Sequence, residues 1–185
     1  MTFVSSGYIA IGGATSSRSI NLQMKESASA LKGLGDNDCR IVAGVSSGPI
    51  SLSNFYGKDV KDVQFMTVGL STGSYSGNSG YSRFVYGGNM GSITDGTIDA
   101  VSGATLKALY HTGGYTGYLN FYVTGNYSNS GWTSINFPDA QFQKTFTRST
   151  ASYSYSSYFN MTMWSWNPTV NPFPVSGTDI NIIWM

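Results

Sequence analysis

The last two thirds of this sequence contain several short segments in which apolar and polar residues alternate, and this pattern restricts the fold more than any other feature. In residues 118–124, Leu119, Phe121 and Val123 fall on one side of an extended chain, and Gly125-Asn126 follows as a hairpin-type turn. The segments that alternate in the same way are 133–137, 153–155, 159–164 and 180–184, whereas 105–110 fits either a strand or a helical turn. Many short alternating segments with turns between them predict a mainly β chain, folded as an antiparallel β-sandwich or barrel.

The beginning of the chain differs in composition from the rest. Residues 1–62 hold 11 of the 19 charged residues but only 4 of the 27 aromatic residues. We therefore predict an N-terminal module at residues 1–62 and a Tyr/Ser/Gly-rich β domain at residues 63–185. A unit of about 60 residues without a metal ion or a disulfide has marginal stability. The N-terminal module is therefore expected to be stabilised by docking on its neighbour or on another chain.

The N-terminal module is predicted to be small and mixed α+β. Residues 8–11 are predicted to form a short apolar strand, and residues 19–24, which alternate between apolar and polar, a second strand. A short helix is expected to follow, with its N-cap at Asp36-Asn37 and a left-handed C-cap at Gly44.

Charge and composition exclude several functional classes. Ten Lys and Arg oppose nine Asp and Glu, giving a net charge of +1, so the electrostatic attraction that drives binding to nucleic acid is nearly absent. No segment approaches the roughly 20 apolar residues of a membrane span, and the start of the chain lacks the pattern of a secretory signal. One Cys and one His exclude an internal disulfide, a Cys-based zinc site and a histidine-pair metal motif. No cofactor, nucleic acid or membrane insertion is expected.

Few residues could support catalysis, and each has a simpler structural interpretation. Asp95 and Asp99 bracket three residues and could act as the paired carboxylates of a glycosidase, but turn residues beside a short strand are the favoured interpretation. His111 has no nucleophile motif in the sequence to serve and is interpreted as structural. Asp36-Asn37-Asp38 lacks the remainder of a calcium-binding loop, and Cys39 is expected to be a small core residue. We therefore predict that the chain is not an enzyme.

The tyrosines indicate binding. Most of them lie in the β domain among Ser, Asn and Gly, a composition typical of recognition surfaces. The candidate recognition residues are Tyr115, Tyr118, Tyr122 and Trp132. Tyr and Trp rings can also stack on sugars, so a host-surface glycan is one expected ligand. The alternative is that many of these rings fill the core of a sandwich that contains little Leu.

Three segments of the N-terminal module occur in a recognisable order. They are GYIAIGGATSSRSINL at 7–22, DCRIVAGV at 38–45 and SGPISLSNFYGK at 47–58. Together they resemble a module that recurs in structural proteins of tailed bacteriophages, including cyanophages, although Cys39 and Ile41 depart from its usual central residues. The rest of the chain is similar, more loosely, to the β-domains that follow this module in tail-fibre, baseplate and other virion proteins.

The resemblance implies a virion protein. We expect this protein to be built into a tail, fibre or baseplate, with the N-terminal module as its virion-docking part. Arg18, Phe55 and Tyr56 are the predicted docking surface. The expected partners are other virion proteins and further copies of this chain, and the β domain would contact a neighbour or a host-surface glycan. The alternatives are a capsid decoration or head-fibre protein and a carbohydrate-binding receptor-recognition protein. An enzyme that depends on Asp95 or Asp99 ranks third.

Overall fold

The computed structural model of the chain describes residues 2–84, 88–113, 117–140 and 145–185. The strands in this part of the chain are β1 (Asp62–Thr67), β2 (Gly69–Leu70), β3 (Ser79–Phe84), β4 (Gly88–Met90), β5 (Ser92–Ile93), β6 (Thr97–Ile98), β7 (Ala104–His111), β8 (Gly117–Thr124), β9 (Ser134–Asn136), β10 (Thr145–Thr147), β11 (Ser152–Ser156), β12 (Met161–Thr169) and β13 (Asp179–Trp184). The helices are α1 (Ile20–Gln23), α2 (Asn37–Ala43) and the 3-10 helices Ser16–Arg18, Leu52–Phe55, Gly73–Tyr75, Asp99–Val101 and Arg148–Thr150. None of the described helices has the length and apolar character needed to cross a lipid bilayer.

The strands form two antiparallel sheets. The five-stranded sheet has the order β10-β9-β13-β1-β5. The eight-stranded sheet has the order β11-β12-β8-β7-β3-β2, with β4 paired to β3 and β6 paired to β7. The chain is thus mainly β and consistent with a β-sandwich rather than a closed barrel, which confirms the predicted fold class.

The main core lies between the two sheets and is largely aromatic. Phe121 on β8 lies at its centre, with its ring centroid 5.1 Å from that of Trp164, 5.8 Å from Trp184 and 6.0 Å from Trp132. All four side chains are buried. Large rings thus provide the apolar volume that aliphatic side chains supply in most sandwiches.

Most strands fall where the alternation predicts them. The segments at 118–124, 133–137, 153–155, 159–164 and 180–184 overlap β8, β9, β11, β12 and β13. The open alternative at 105–110 is settled as a strand, because these residues lie within β7.

The N-terminal module shares its core with the five-stranded sheet. Phe3, Ile20 and Phe55 pack in one buried cluster with Val63 of β1 and Ile183 of β13. In the same two strands, Met66, Ile182 and Trp184 point to the opposite side, into the main core. The five-stranded sheet is therefore covered on both faces, and the boundary predicted after residue 62 falls within β1.

Two predicted strands of the N-terminal module are wrong. Residues 19–24 contain helix α1, because the Ser19 side chain accepts a hydrogen bond from the Leu22 amide (3.3 Å) and Ile20 and Met24, four residues apart, fall on one buried face. Residues 8–11 contribute only an isolated bridge between Ala10 and Ser19.

The predicted helix is confirmed as α2. It ends at Gly44, whose φ of 74° is the left-handed conformation expected of a glycine C-cap. The Asp36 side chain does not cap the helix; it accepts a hydrogen bond from the Gly33 amide at 2.9 Å.

Candidate contact face

The outer face of the eight-stranded sheet, which points away from the main core, carries an open apolar groove of about 320 Å³. The residues that line it are Phe84, Tyr122, Ser154, Ser156, Phe159, Met161 and Met163. We call this groove, together with the exposed Tyr158 beside it, the contact face. Aromatic and methionine side chains dominate it, a composition enriched at protein interfaces.

Strand register places these side chains together. Met163 on β12 lies opposite Tyr122 on β8 and Ser154 on β11. The next residue along β12, Trp164, points to the other side of the sheet and into the main core. Because side chains alternate along a strand, the register that buries Trp164 also presents Met163 on the outer face.

Buried aromatic side chains support the contact face from within the sheet. The rings of Phe84 and Tyr122 lie 5.0 Å apart, and Tyr122 stacks on Tyr110 at 6.2 Å. Burial raises the pKa of Tyr110 and of Tyr122, and the neighbouring Tyr122 hydroxyl raises the pKa of Tyr110 further. Both hydroxyls therefore stay neutral at physiological pH, and this part of the face carries no charge.

The turn between β11 and β12 projects the most exposed rings of the contact face. Tyr158 is 89% exposed and Phe159 is 37% exposed. Phe159 packs edge-on against Phe84 (5.6 Å, 79°) and against Tyr158 (4.8 Å, 89°). The Phe159 ring thus stands nearly perpendicular to both neighbouring rings, and the three rings do not form a flat platform.

The predicted recognition aromatics have different positions. Tyr122 lies in the contact face, and Tyr118, 46% exposed, is on the same strand. Trp132 was assigned wrongly: it is 2% exposed and packs in the main core against Phe121. Tyr115 lies outside the described residues.

The three predicted docking residues, Arg18, Phe55 and Tyr56, make their contacts within the N-terminal module. Phe55 is fully buried against Phe3, which removes it from any docking surface. The Tyr56 hydroxyl donates to the Gly7 carbonyl, and the Arg18 guanidinium donates to the Tyr8 carbonyl at 3.2 Å. These residues therefore fix the N-terminal segment of the chain.

Asp95 and Asp99 belong to an ion-pair cluster. Lys25 contacts Asp62 at 2.6 Å, Asp99 at 3.7 Å and Asp95 at 4.0 Å. The Asp62 carboxylate is fully buried and also accepts from the amides of Val63 (2.8 Å) and Asp99 (3.0 Å). The cluster joins the end of α1 to β1 and so connects the N-terminal module to the five-stranded sheet.

Asp38 and Cys39 have structural positions. Lys32 pairs with both Asp38 and Glu26, so the Asp38 carboxylate already has a cationic partner. Cys39 is buried in the N-terminal core, and burial raises the pKa of its thiol to about 12. The thiol therefore stays protonated at neutral pH.

His111 lies inside the sandwich. Its side chain is fully buried, and Nε2 lies 3.2 Å from the Thr169 carbonyl oxygen. Burial lowers the pKa of the imidazole below its usual value. His111 is therefore neutral in the folded protein at physiological pH.

This burial gives a pH-dependent stability. The pKa of His111 is lower in the folded than in the unfolded state. The contribution of neutral His111 to the free energy of unfolding is therefore fully present above the unfolded pKa of about 6.5, and it is lost as pH falls toward the folded pKa. Urea unfolding between pH 7 and pH 5 should show stability falling with pH. In His111→Gln, which keeps a donor for Thr169, this component should be missing and the profile flatter. Equal slopes for both proteins would contradict the assignment.

Sequence reasoning missed Phe84, Phe159, Met161 and Met163 as residues that line the groove. The alternation in 159–164 places Phe159, Met161 and Met163 on one side and Asn160, Thr162 and Trp164 on the other, which favours the first set as the core side. In the structure it is Trp164 that enters the main core. Comparisons of the chain with protein-family models, with curated proteins and with solved structures find no match.

Proposed function

We propose that this chain is a structural subunit of a tailed bacteriophage particle and that it binds a neighbouring particle protein through the contact face. The observation that carries the proposal is the contact face itself, with Tyr158 and Phe159 exposed beside Met161 and Met163 on a rigid sheet. Exposed apolar patches of this kind mark interaction sites. The three N-terminal sequence segments, through their resemblance to a phage module, support the particle as the setting. A tail, fibre or baseplate is the proposed position, and capsid decoration is the alternative.

A protein partner fits the contact face better than a glycan. Stacking on sugar needs a flat aromatic surface bordered by hydrogen-bonding groups, whereas the Phe159 ring stands nearly perpendicular to the rings of both Phe84 and Tyr158. Met161 and Met163 line the same groove as Phe84 and Phe159, and their flexible thioethers can adapt to a protein surface. Carbohydrate recognition at the cell surface is the second candidate, favoured only by exposed Tyr118.

The proposal predicts that a contact-face variant is excluded from particles. A Phe159→Ser, Met163→Ser chain, produced alongside the wild-type chain during phage growth, should be incorporated at least about tenfold less, because two apolar contacts at an interface centre are lost. Quantitative mass spectrometry of the purified particles gives the ratio of the two chains.

The matched control is Leu70→Ser, Val175→Ser. It removes two exposed apolar side chains (54% and 79% exposed) that lie outside the contact face. Near-ultraviolet circular dichroism establishes that both variants are folded. Equal incorporation of the contact-face variant would refute the proposal. Normal incorporation with loss of binding to host cells would favour carbohydrate recognition instead.

A further inference from the structure

A second surface of the molecule is an open sheet edge. Strand β11 is the last strand of the eight-stranded sheet and, among the described residues, pairs only with β12. Ser152, Tyr153, Ser154 and Tyr155 are all exposed. In an antiparallel sheet every second residue of such a strand directs its backbone N–H and C=O away from the neighbouring strand. The edge therefore offers a row of backbone donors and acceptors to an added strand.

Within the described part of the chain, this edge lacks the usual protection against pairing. Natural edge strands are blunted by charges, by proline, by bulges or by being short. The strands at the other three ends of the two sheets, β2, β5 and β10, have only two or three residues. By contrast β11 has five residues, Ser-Tyr-Ser-Tyr-Ser, and the sequence contains no charged residue between Arg148 and Asp179.

The sequence of β11 reads the same in both directions about Ser154. We infer that β11 pairs antiparallel with β11 of a second copy of this chain, around a two-fold axis at Ser154. This register places Tyr153 of each copy opposite Tyr155 of the other and Ser152 opposite Ser156. Aromatic pairs and hydroxyl pairs directly across a strand boundary are favourable, and a two-fold interface requires such self-complementarity.

The tyrosines are already oriented for this pairing. The Tyr153 hydroxyl donates to the Tyr127 carbonyl at 2.5 Å, and its ring lies 5.6 Å from Trp164. The Tyr155 hydroxyl donates to Asn160 Oδ1 at 3.0 Å. Ordering these rings in the single chain lowers the entropic cost of association. The result is one continuous sheet through two copies, with their two contact faces on the same side of it.

Cysteine cross-linking tests the register. Residues facing each other across antiparallel strands have Cα atoms about 4.5–5.5 Å apart, within the range that a disulfide spans. Under mild oxidation, Ser154→Cys should form a covalent dimer faster than Ser152→Cys, whose nearest counterpart is Ser156 of the other copy. An equimolar mixture of Ser152→Cys and Ser156→Cys should cross-link about half as fast as Ser154→Cys at the same total concentration, because half of its dimers pair the two variants, and faster than either variant alone. Cys39 is buried and does not compete.

Association of the unmodified chain is the second measurement. Sedimentation equilibrium at up to about 1 mM protein detects dimers with Kd values as weak as millimolar. Ser154→Lys, which places two like charges at the axis, should raise the dimer Kd at least about tenfold, and an equimolar mixture with Ser154→Glu should restore association. Ser92→Lys, at an exposed position of edge strand β5, should leave the Kd unchanged.

The inference fails if the chain is monomeric at every concentration or if Ser152→Cys cross-links alone as fast as Ser154→Cys. It also fails if Ser154→Lys and Ser92→Lys dimerise equally well. These measurements use the purified chain alone, so their outcome is separate from that of the particle-incorporation experiment.

Discussion

Replacing Phe121 by Ala should lower the free energy of unfolding by about 3–5 kcal/mol, the range for a large aromatic side chain removed from a packed core. Phe121 contacts three tryptophans, Trp132, Trp164 and Trp184, with ring centroids 5.1–6.0 Å away. These rings come from both sheets and from the segment before β9, so the cavity would open where the sandwich is held together. Since domains of this size are stable by about 5–15 kcal/mol, the variant should lie close to the limit of folding. Urea unfolding monitored by tryptophan fluorescence measures the change.

The matched control for this prediction is Tyr118→Ala on the same strand. Tyr118 is 46% exposed and points to the outer side of the sheet. Its replacement should change stability by only about 0.5 kcal/mol, as is usual for surface positions. Similar losses for the two variants would show that the aromatic core does not dominate the stability of the sandwich.

Replacing Lys25 by Met should lower the free energy of unfolding by about 2–3 kcal/mol at pH 7. The carboxylate of its partner Asp62 is fully buried. Removing one member of a buried ion pair leaves the other charge without a counterion and lowers the free energy of unfolding by about 3–5 kcal/mol. The expected loss is below that range because Lys25 is 24% exposed and water partly screens the pair. Urea unfolding at pH 7 and pH 4.5 measures the change.

The pH dependence of this loss has a defined sign. Burial raises the pKa of Asp62, and pairing with Lys25 offsets this in part. Without Lys25 the pKa rises further above its unfolded value, so the folded state takes up a proton more readily. A carboxyl group whose pKa is raised in the folded state stabilises that state when it is protonated. In the variant, this contribution of Asp62 is present at low pH and is lost as pH rises through the pKa of Asp62 in the folded state. The variant should therefore approach the wild type at pH 4.5 and differ most at pH 7.

Lys61→Met is the control, because Lys61 pairs with Asp59 at the surface, where both side chains are more than one third exposed. Surface pairs contribute about 0–1 kcal/mol, so this variant should be nearly as stable as the wild type. If Lys25→Met cost no more than Lys61→Met, the ion pair would not hold the N-terminal module to the sheet.

The sequence predicts the β domain better than the N-terminal module. Alternation over residues 118–124 identifies β8, because one polar and one apolar set leave a single arrangement of faces. The apolar positions 180, 182 and 184 likewise identify β13 and its side toward the main core. Residues 19–24 alternate just as well, yet they contain α1, since Ser19 caps a helix and the spacing of Ile20 and Met24 also suits one. Short segments satisfy both periods, and tertiary contacts decide between them.

The contact face could be predicted only in part. Tyr122 stands out because it interrupts apolar residues on β8, but Met163 and Trp164 are adjacent apolar residues with opposite destinations. Phe55 looks like a surface residue in its Ser-Asn-Phe-Tyr segment, yet it fills the N-terminal core. Which of two apolar neighbours is exposed depends on the pairing of distant strands, and no local pattern contains that information.

Quantitative mass spectrometry of purified phage particles tests the central claim most directly, since the chain is proposed to act through contact with other particle proteins. In particles of the phage that encodes it, the chain should be present at a fixed stoichiometry relative to the major tail proteins and should remain after high-salt washing. Its absence from mature particles, with the protein recovered only in the lysate, would contradict the account.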